Sequence, residues 1–195
     1  MTDEEIVVIG KALLAHGPQI DVLEWGSGGS TVYFTDFLRQ HGVVYSWVSM
    51  EYNREWYKKI TEAIGGDSQT EIVLFDVGNT DNKQRLISMD EYVSYPATLD
   101  KKFDVILVDG RKRRRCLVEA LALLKPGGEV FLHDARRTYY HCAFSAYLDS
   151  QILLRSGLWR GRKENPGSFR RIVNFWRYWT FRAYSFSFRF KFWKI

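Results

Sequence analysis

Chemistry-bearing residues fall in four short stretches of this 195-residue chain. The first, Glu24-Trp25-Gly26-Ser27-Gly28-Gly29-Ser30, sets a carboxylate two residues ahead of a glycine-rich turn. Glycines let a ligand approach the backbone closely, and a following helix N-terminus offers free N–H groups. The dinucleotide fingerprint requires a third glycine for close helix–strand packing. Thr31 stands in its place. No Gly-Lys-Ser/Thr follows either, which excludes a P-loop. Glu24 would repel a pyrophosphate and welcome a cationic ligand; equally, it suits a brace that accepts backbone N–H bonds.

The second and third stretches are Val108-Asp109-Gly110 and His133-Asp134. Asp109 and Asp134 with water would suit magnesium, which takes few protein ligands. Alternatively Asp109, His133 or Asp134 performs metal-free general acid–base work, or His133 only orients its neighbours. The fourth, Arg111 to Arg115, is five consecutive cations, and Arg136-Arg137-Thr138-Tyr139-Tyr140 extends the third beyond the His-Asp pair. Positive charge at a helix N-terminus opposes the helix dipole. Attraction of an anionic substrate would explain that arrangement, with Arg111, Arg136, Arg137 and Tyr140 as the substrate-side candidates.

Alternating strands and helices position these residues. Thr2-Asp3-Glu4-Glu5 has the form of a capping box ahead of Ile6, Ile9 and Leu13, so a helix is expected over 3–15. Strands are expected over 20–24, 43–50, 71–75, 103–108 and 129–132. Helices are expected from Ser30 as N-cap to about Arg39, over 53–64, around 86–92, over 113–124 and over 143–148. This pattern predicts an α/β fold with a doubly wound, mostly parallel sheet and helices on both faces. Glu24, Glu51, Asp76, Asp109 and Asp134 then all fall at carboxyl ends of strands, where such sheets bind ligands. An antiparallel C-terminal pair is expected over 151–159 and 170–178.

Hydrophobic residues at 46% and charged residues at 26% argue for a globular protein rather than a disordered one. Cys116 and Cys142 form no CxxC, so neither a disulfide framework nor a zinc ribbon is available. No uncharged apolar run approaches the roughly 18 residues of a membrane span, the N-terminus is acidic, and a cytoplasmic location is expected. The net charge of +5 is uneven: residues 151–195 carry 11 Lys/Arg and one acid, whereas residues 1–150 carry 17 Lys/Arg and 22 acids. Residues 169–195 also hold 12 of the chain's Phe, Tyr and Trp. Within them, Ser185 to Phe192 alternates Phe with Ser, Arg and Lys, a period-two strand signal. Its aromatic face needs a partner. Packing on the domain or in a homodimer is favoured, with nucleic acid or an anionic membrane surface as alternatives.

The motifs V-L-E-W-G-S-G-G-S-T, an acid ending strand two, D-V-I-L-V-D-G and L-K-P-G-G-E-V-F-L-H-D, in that order over residues 20–135, resemble class I S-adenosylmethionine-dependent methyltransferases. The resemblance implies a Rossmann-like fold; the domain is expected over 1–180, with a basic aromatic extension over 181–195. It implies S-adenosyl-L-methionine as cofactor, with the glycine loop (Glu24, Gly26, Ser27, Gly28) at its methionine end. Glu51 would bind the ribose hydroxyls, Asp76 would approach the adenine amine, and Tyr52 and Asp109 would border the cofactor. The Pro-Pro motif of base N-methyltransferases is absent after strand four, and no cysteine lies there for carbon-5 methylation of cytosine. O-methylation of a small or saccharide-like anionic acceptor is therefore expected. The alternative is an RNA-binding or RNA-modifying protein using its basic aromatic end. A nicotinamide-dependent oxidoreductase is disfavoured by the missing third glycine.

Overall fold

The computed structural model describes residues 1–77 and 87–164 together with Ile172, Val173, Phe175, Trp176 and Trp179. The capping box forms as expected: Thr2 Oγ1 accepts from the Glu5 amide, and Glu5 Oε2 accepts from the Thr2 amide at 2.9 Å. It starts α1 (Asp3–Ala15), which buries Ile9 and Leu13. Next come β1 (Gln19–Trp25), α2 (Gly29–Gln40), β2 (Val44–Glu51), α3 (Arg54–Ile64) and β3 (Thr70–Leu74). After α4 (Asp90–Ser94) and a 3-10 turn over Tyr95–Leu99 come β4 (Phe103–Val108), α5 (Arg113–Leu123) and β5 (Leu124–Leu132). A second 3-10 segment (Thr138–Ala146) leads to β6 (Asp149–Leu154) and β7 (Leu158–Arg162).

The strands form one sheet in the order β3-β2-β1-β4-β5-β7-β6. β1 to β5 run parallel, and the β6–β7 hairpin closes the β5 edge antiparallel. Side chains alternate across the strands. Val22, Val105, Leu107 and Phe131 pack with Ile9, Leu13, Phe34 and Leu38 of α1 and α2. Leu23, Ile106, Val108, Val130 and Leu132 pack with Tyr92, Cys116, Leu117 and Ala120 of α4 and α5. This is the doubly wound, mostly parallel architecture expected. Strand order reverses between β1 and β4, the position where such sheets open a crevice.

Several boundaries differ from expectation. Gly28, not Ser30, is the N-cap of α2, because the Ser30 hydroxyl is turned back onto Glu24 at 2.6 Å. β5 starts at Leu124 and carries Pro126 and Gly127 beside an irregularity in its pairing with β4. The helix expected over 143–148 is instead the 3-10 segment ending at Ala146. The antiparallel pair lies within 149–162, since Gly157 at φ +116° permits a tight turn in the middle of the expected 151–159 strand. Of the strand expected over 170–178, Ile172, Val173, Phe175 and Trp176 are helical. Leu86 of the expected 86–92 helix, the strand expected over 185–192 and the extension 181–195 lie outside the described residues. Among the described residues, no helix is long and apolar enough to cross a membrane.

At the crevice the turns after β1 and β4 touch backbone to backbone. The amides of Asp109 and Gly110 both donate to the Trp25 carbonyl, at 2.9 and 2.6 Å. Gly26 has φ +101°, and a Cβ there would lie 2.5 Å from the Gly110 backbone. Position 26 therefore requires glycine for both its conformation and its contact. Gly26→Ala is expected to cost at least about 1–3 kcal/mol from the strained φ alone, lowering the melting temperature by roughly 2–4 °C per kcal/mol. Gly29→Ala, with nothing within 4 Å of its Cβ, is the control. Equal melting temperatures for the two variants would contradict the assignment.

Candidate functional site

A cavity of about 840 Å³ opens at the carboxyl ends of β1, β2 and β4, within the range of small-molecule and cofactor sites. Gly26, Ser27, Gly28 and Ser30 form one wall, and Glu51, Tyr52 and Asp109 line it from the neighbouring strand ends. Glu51 ends β2 and is 3% exposed. Its Oε1 accepts from the amides of Tyr52 and Asn53 at 2.9 and 2.8 Å, and its Oε2 from Ser27 Oγ at 3.1 Å. These bonds aim the carboxylate at the cavity and leave acceptor capacity on it. Burial raises its pKa against the pull of those donors. Beside it Arg111 Nε donates to the Tyr52 hydroxyl at 3.1 Å and lies over the ring.

Glu24 is placed differently. It is fully buried behind the loop and does not line the cavity. It takes hydrogen bonds from Ser30 Oγ, Thr31 Oγ1, Trp47 Nε1 and Ser49 Oγ. Thr31 in turn accepts from the Gly28 amide at 2.8 Å. Its position is that of a brace, but the donors it meets are these four side chains rather than the backbone N–H groups expected. Burial lifts its carboxyl from 4.5 to about 7. Asp76 is not brought to the cavity either; it is ion-paired with Arg54 at 2.6 Å. Sequence reasoning missed Trp56, whose Nε1 donates to the Ser27 carbonyl at 2.8 Å from the cavity wall. The available signal was Asn53, which caps α3 and presents Trp56 in the first turn.

Arg113 stands between the tips of β4 and β5. Its guanidinium donates to the carbonyls of Gly110, Asp109 and His133. It also pairs with Asp109 at 2.9 Å and approaches Asp134 at 3.7 Å. Asp134 is paired with Arg137 at 2.8 Å as well. An arginine cation thus sits between the two carboxylates expected to hold magnesium. No group of three or more His, Cys, Asp or Glu side chains among the described residues has metal-binding geometry. This donor set does not fit the metal. His133 Nδ1 lies 2.9 Å from Asp109 Oδ1, and its Nε2 lies 3.3 Å from Oε2 of the buried Glu5. The hydrogen bond to Asp109 raises the imidazole pKa against burial, and Glu5 adds to it. The N-terminus of α1 is thereby tied to the rim, and Met1 and Ile6 border the cavity.

A second cavity, of about 580 Å³, shares Gly110, Arg111 and Arg113 with the first. Arg111, Arg137 and Tyr140 of the expected substrate-side residues line it, together with Tyr139. Arg136 does not: it donates to the Arg155 carbonyl at the β6–β7 turn, packed beside Gly157. Tyr139 and Tyr140 are joined hydroxyl to hydroxyl at 2.8 Å. Burial and this contact push Tyr140 up to about 12. Against burial, the same contact and Arg137 hold Tyr139 below its usual value.

A family model described as a methyltransferase domain matches residues 23–135, the span from β1 through the tip of β5. Comparison with curated protein sequences finds no match. Among solved structures, the chain is similar to a methyltransferase-like protein from Silicibacter pomeroyi at 22% identity and TM-score 0.60, covering 89% of this chain and 93% of that one. It is also similar to a Staphylococcus aureus protein provisionally described as a caffeoyl-CoA O-methyltransferase, at 16% identity and TM-score 0.58 over 82% and 83% of the two chains. A third is the cofactor-bound protein Rv0187 from MTB, at 16% identity and TM-score 0.56 over 85% and 82%. At these identities the structures speak for the fold. Together with the family match over the strands and loops that build the cavity, they identify the chain as a member of the methyltransferase-domain family.

Proposed function

We propose that the chain is an S-adenosylmethionine-dependent methyltransferase acting on an oxygen of a small or saccharide-like anionic acceptor. The supporting observation is the shared wall: Gly110, Arg111 and Arg113 border both cavities. A cofactor in the first cavity and an acceptor in the second would meet across it. The cofactor supplies a methyl group activated on sulfonium. Gly26, Ser27 and Gly28 form its backbone cradle, Glu51 accepts from the ribose hydroxyls, and Tyr52 flanks it. The cradle has room: a Cβ on Gly28 would meet only Trp56 at 3.7 Å and Ser30 at 4.0 Å.

Methylation of a hydroxyl requires the two partners in near-attack geometry and a group to take the proton. Asp109 is the proton acceptor in this reading, because it lines the first cavity beside Gly110 of the shared wall and its carboxylate is paired with Arg113, which borders both cavities. His133 is a positioning residue. Its bridge between Asp109 and Glu5 is complete only as imidazolium, since both ring nitrogens face carboxylates. Asp134 positions Arg113 and Arg137. No step uses magnesium, since Arg113 already neutralises the carboxylates that would bind it.

Calorimetry with S-adenosylmethionine and S-adenosylhomocysteine, followed by an acceptor screen, tests the reading. Glu51→Ala should weaken cofactor binding by roughly ten- to a hundredfold, the worth of a charged hydrogen bond. Gly28→Val should reduce cofactor affinity while the melting temperature holds, and undiminished affinity would displace the cradle from this loop. Asp109→Asn should lower kcat by about 10²–10⁴ with cofactor affinity retained, and the wild-type rate should resist chelators. A rate restored only by added magnesium would contradict the metal-free assignment.

The raised imidazole pKa also predicts a stability profile. A histidine raised above 6.5 in the folded state stabilises fully below that value, and the contribution is lost as pH rises through the folded pKa. The melting temperature should therefore fall as pH rises above 6.5, and His133→Gln should flatten that decline. Glu24, raised from 4.5 to about 7, contributes in the same direction at lower pH. It is present in both proteins and cancels in the comparison. Parallel profiles would remove the Glu5–His133–Asp109 bridge as an electrostatic tie.

A further inference from the structure

We infer that Trp56 is a positioning residue of the first cavity: its indole N–H locks the glycine loop and the Glu51 carboxylate into one unit. This rests on the cofactor reading of that cavity and adds a residue to it. Four side chains close a circuit of hydrogen bonds. Glu51 Oε1 accepts from the Asn53 amide at 2.8 Å, and Asn53 Oδ1 accepts from the Trp56 amide at 2.9 Å. Trp56 Nε1 donates to the Ser27 carbonyl at 2.8 Å, and Ser27 Oγ donates back to Glu51 Oε2 at 3.1 Å. Ser27, Glu51, Asn53 and Trp56 all line the cavity. The circuit joins the turn after β1 to the end of β2 and the first turn of α3. The indole bond is the link in it that reaches from α3 to the loop.

The Ser27–Gly28 peptide shows what that link does. Its amide end is held from behind the loop: the Gly28 N–H donates to Thr31 Oγ1 at 2.8 Å, and Thr31 donates to the buried Glu24. Its carbonyl end is held from the cavity wall by Trp56. The two bonds fix the plane of a peptide whose second residue, glycine, allows the widest choice of backbone conformations. Apolar packing does little to place the first turn of α3, since Ile60, one turn further on, is the helix's one buried residue. Trp56 itself is 43% exposed, with the Lys59 ammonium over its ring at 5.9 Å. A half-exposed indole gains only part of the free energy of full burial, and its directed N–H is the contribution that the geometry singles out. A loop that samples other orientations binds its ligand more weakly, in proportion to the fraction of time spent in the competent one.

Trp56→Phe keeps an aromatic ring and removes the donor. Its affinity for S-adenosylhomocysteine, read by calorimetry on the full chain, should fall about three- to tenfold, the worth of a neutral hydrogen bond. Its melting temperature should fall by no more than roughly 2–4 °C. Ser27→Ala opens the same circuit at another link. The double variant should bind within about twofold of the weaker single variant, because residues of one network couple rather than add. Wild-type affinity in Trp56→Phe would overturn the inference, even where Trp56→Ala binds weakly, since the aromatic surface and not the donor would then contribute. A double loss equal to the product of the single losses would overturn it as well. Amide hydrogen exchange on the ligand-free proteins is the second measurement. The Gly28 amide should exchange faster in Trp56→Phe than in the wild type, and equal rates would overturn the inference whatever binds. S-adenosylhomocysteine that fails to bind the wild type would instead sink the methyltransferase reading, and the exchange rates would then decide the role of Trp56.

Discussion

The site depends on one guanidinium. Arg113 ties the carbonyls that follow β4 and β5, and it compensates the carboxylates of Asp109 and Asp134 beside them. It is mostly buried, with its side chain 11% exposed, and lies over the Tyr140 ring. Without such a cation, two carboxylates and the parallel strand ends would face each other across a narrow crevice. With it, the strand tips are joined through three carbonyl bonds and two carboxylate contacts of one side chain. Charge-assisted bonds of this kind are about twice as strong as neutral ones, and several meet on one group here.

The second constraint is the backbone crossing of Gly26 and Gly110. It brings the glycine loop against the turn that starts the basic run, so a ligand on the loop lies next to that run. Glu24 serves the same end from behind: four donors converge on a carboxyl with no exposure. The hydrogen bonds offset only part of the desolvation of that carboxyl, which stays raised to about 7, and they tie the loop and the start of α2 to β1 and β2. α1 closes the far side through Glu5, which serves at once as capping-box acid and as partner of His133 and Ser156.

Much of this was legible in the sequence. Alternating apolar strands, the glycine turn and acids at strand ends gave the sheet, its winding and the crevice, and the capping box located α1 to the residue. Other features lie beyond reading in one dimension. Arg113 is hidden within five cations, although its spacing of four from Asp109 carried a hint. Position 26 needs glycine because of Gly110, more than eighty residues away, and that contact has no local signature. The run from Gln151 to Trp159 reads as one strand because apolar residues flank Arg155-Ser156-Gly157 on both sides, yet Gly157 folds it into the β6–β7 hairpin. Glu24 and Asp76 fit a strand-end pattern by position, but burial and the Arg54 pair set their roles. Arg136 illustrates the same limit: its charge fits the basic rim, while its side chain bonds the Arg155 carbonyl.

The central claim is that one cavity holds the methyl donor and the basic cavity holds the acceptor, on either side of Gly110, Arg111 and Arg113. A crystal structure of the full chain with S-adenosylhomocysteine tests it most directly. The account predicts ribose hydroxyls on Glu51, the glycine loop along the amino-acid moiety, and the sulfur facing the shared wall toward Tyr139 and Tyr140. A ligand bound elsewhere, or bound with its sulfur turned from that wall, would contradict it.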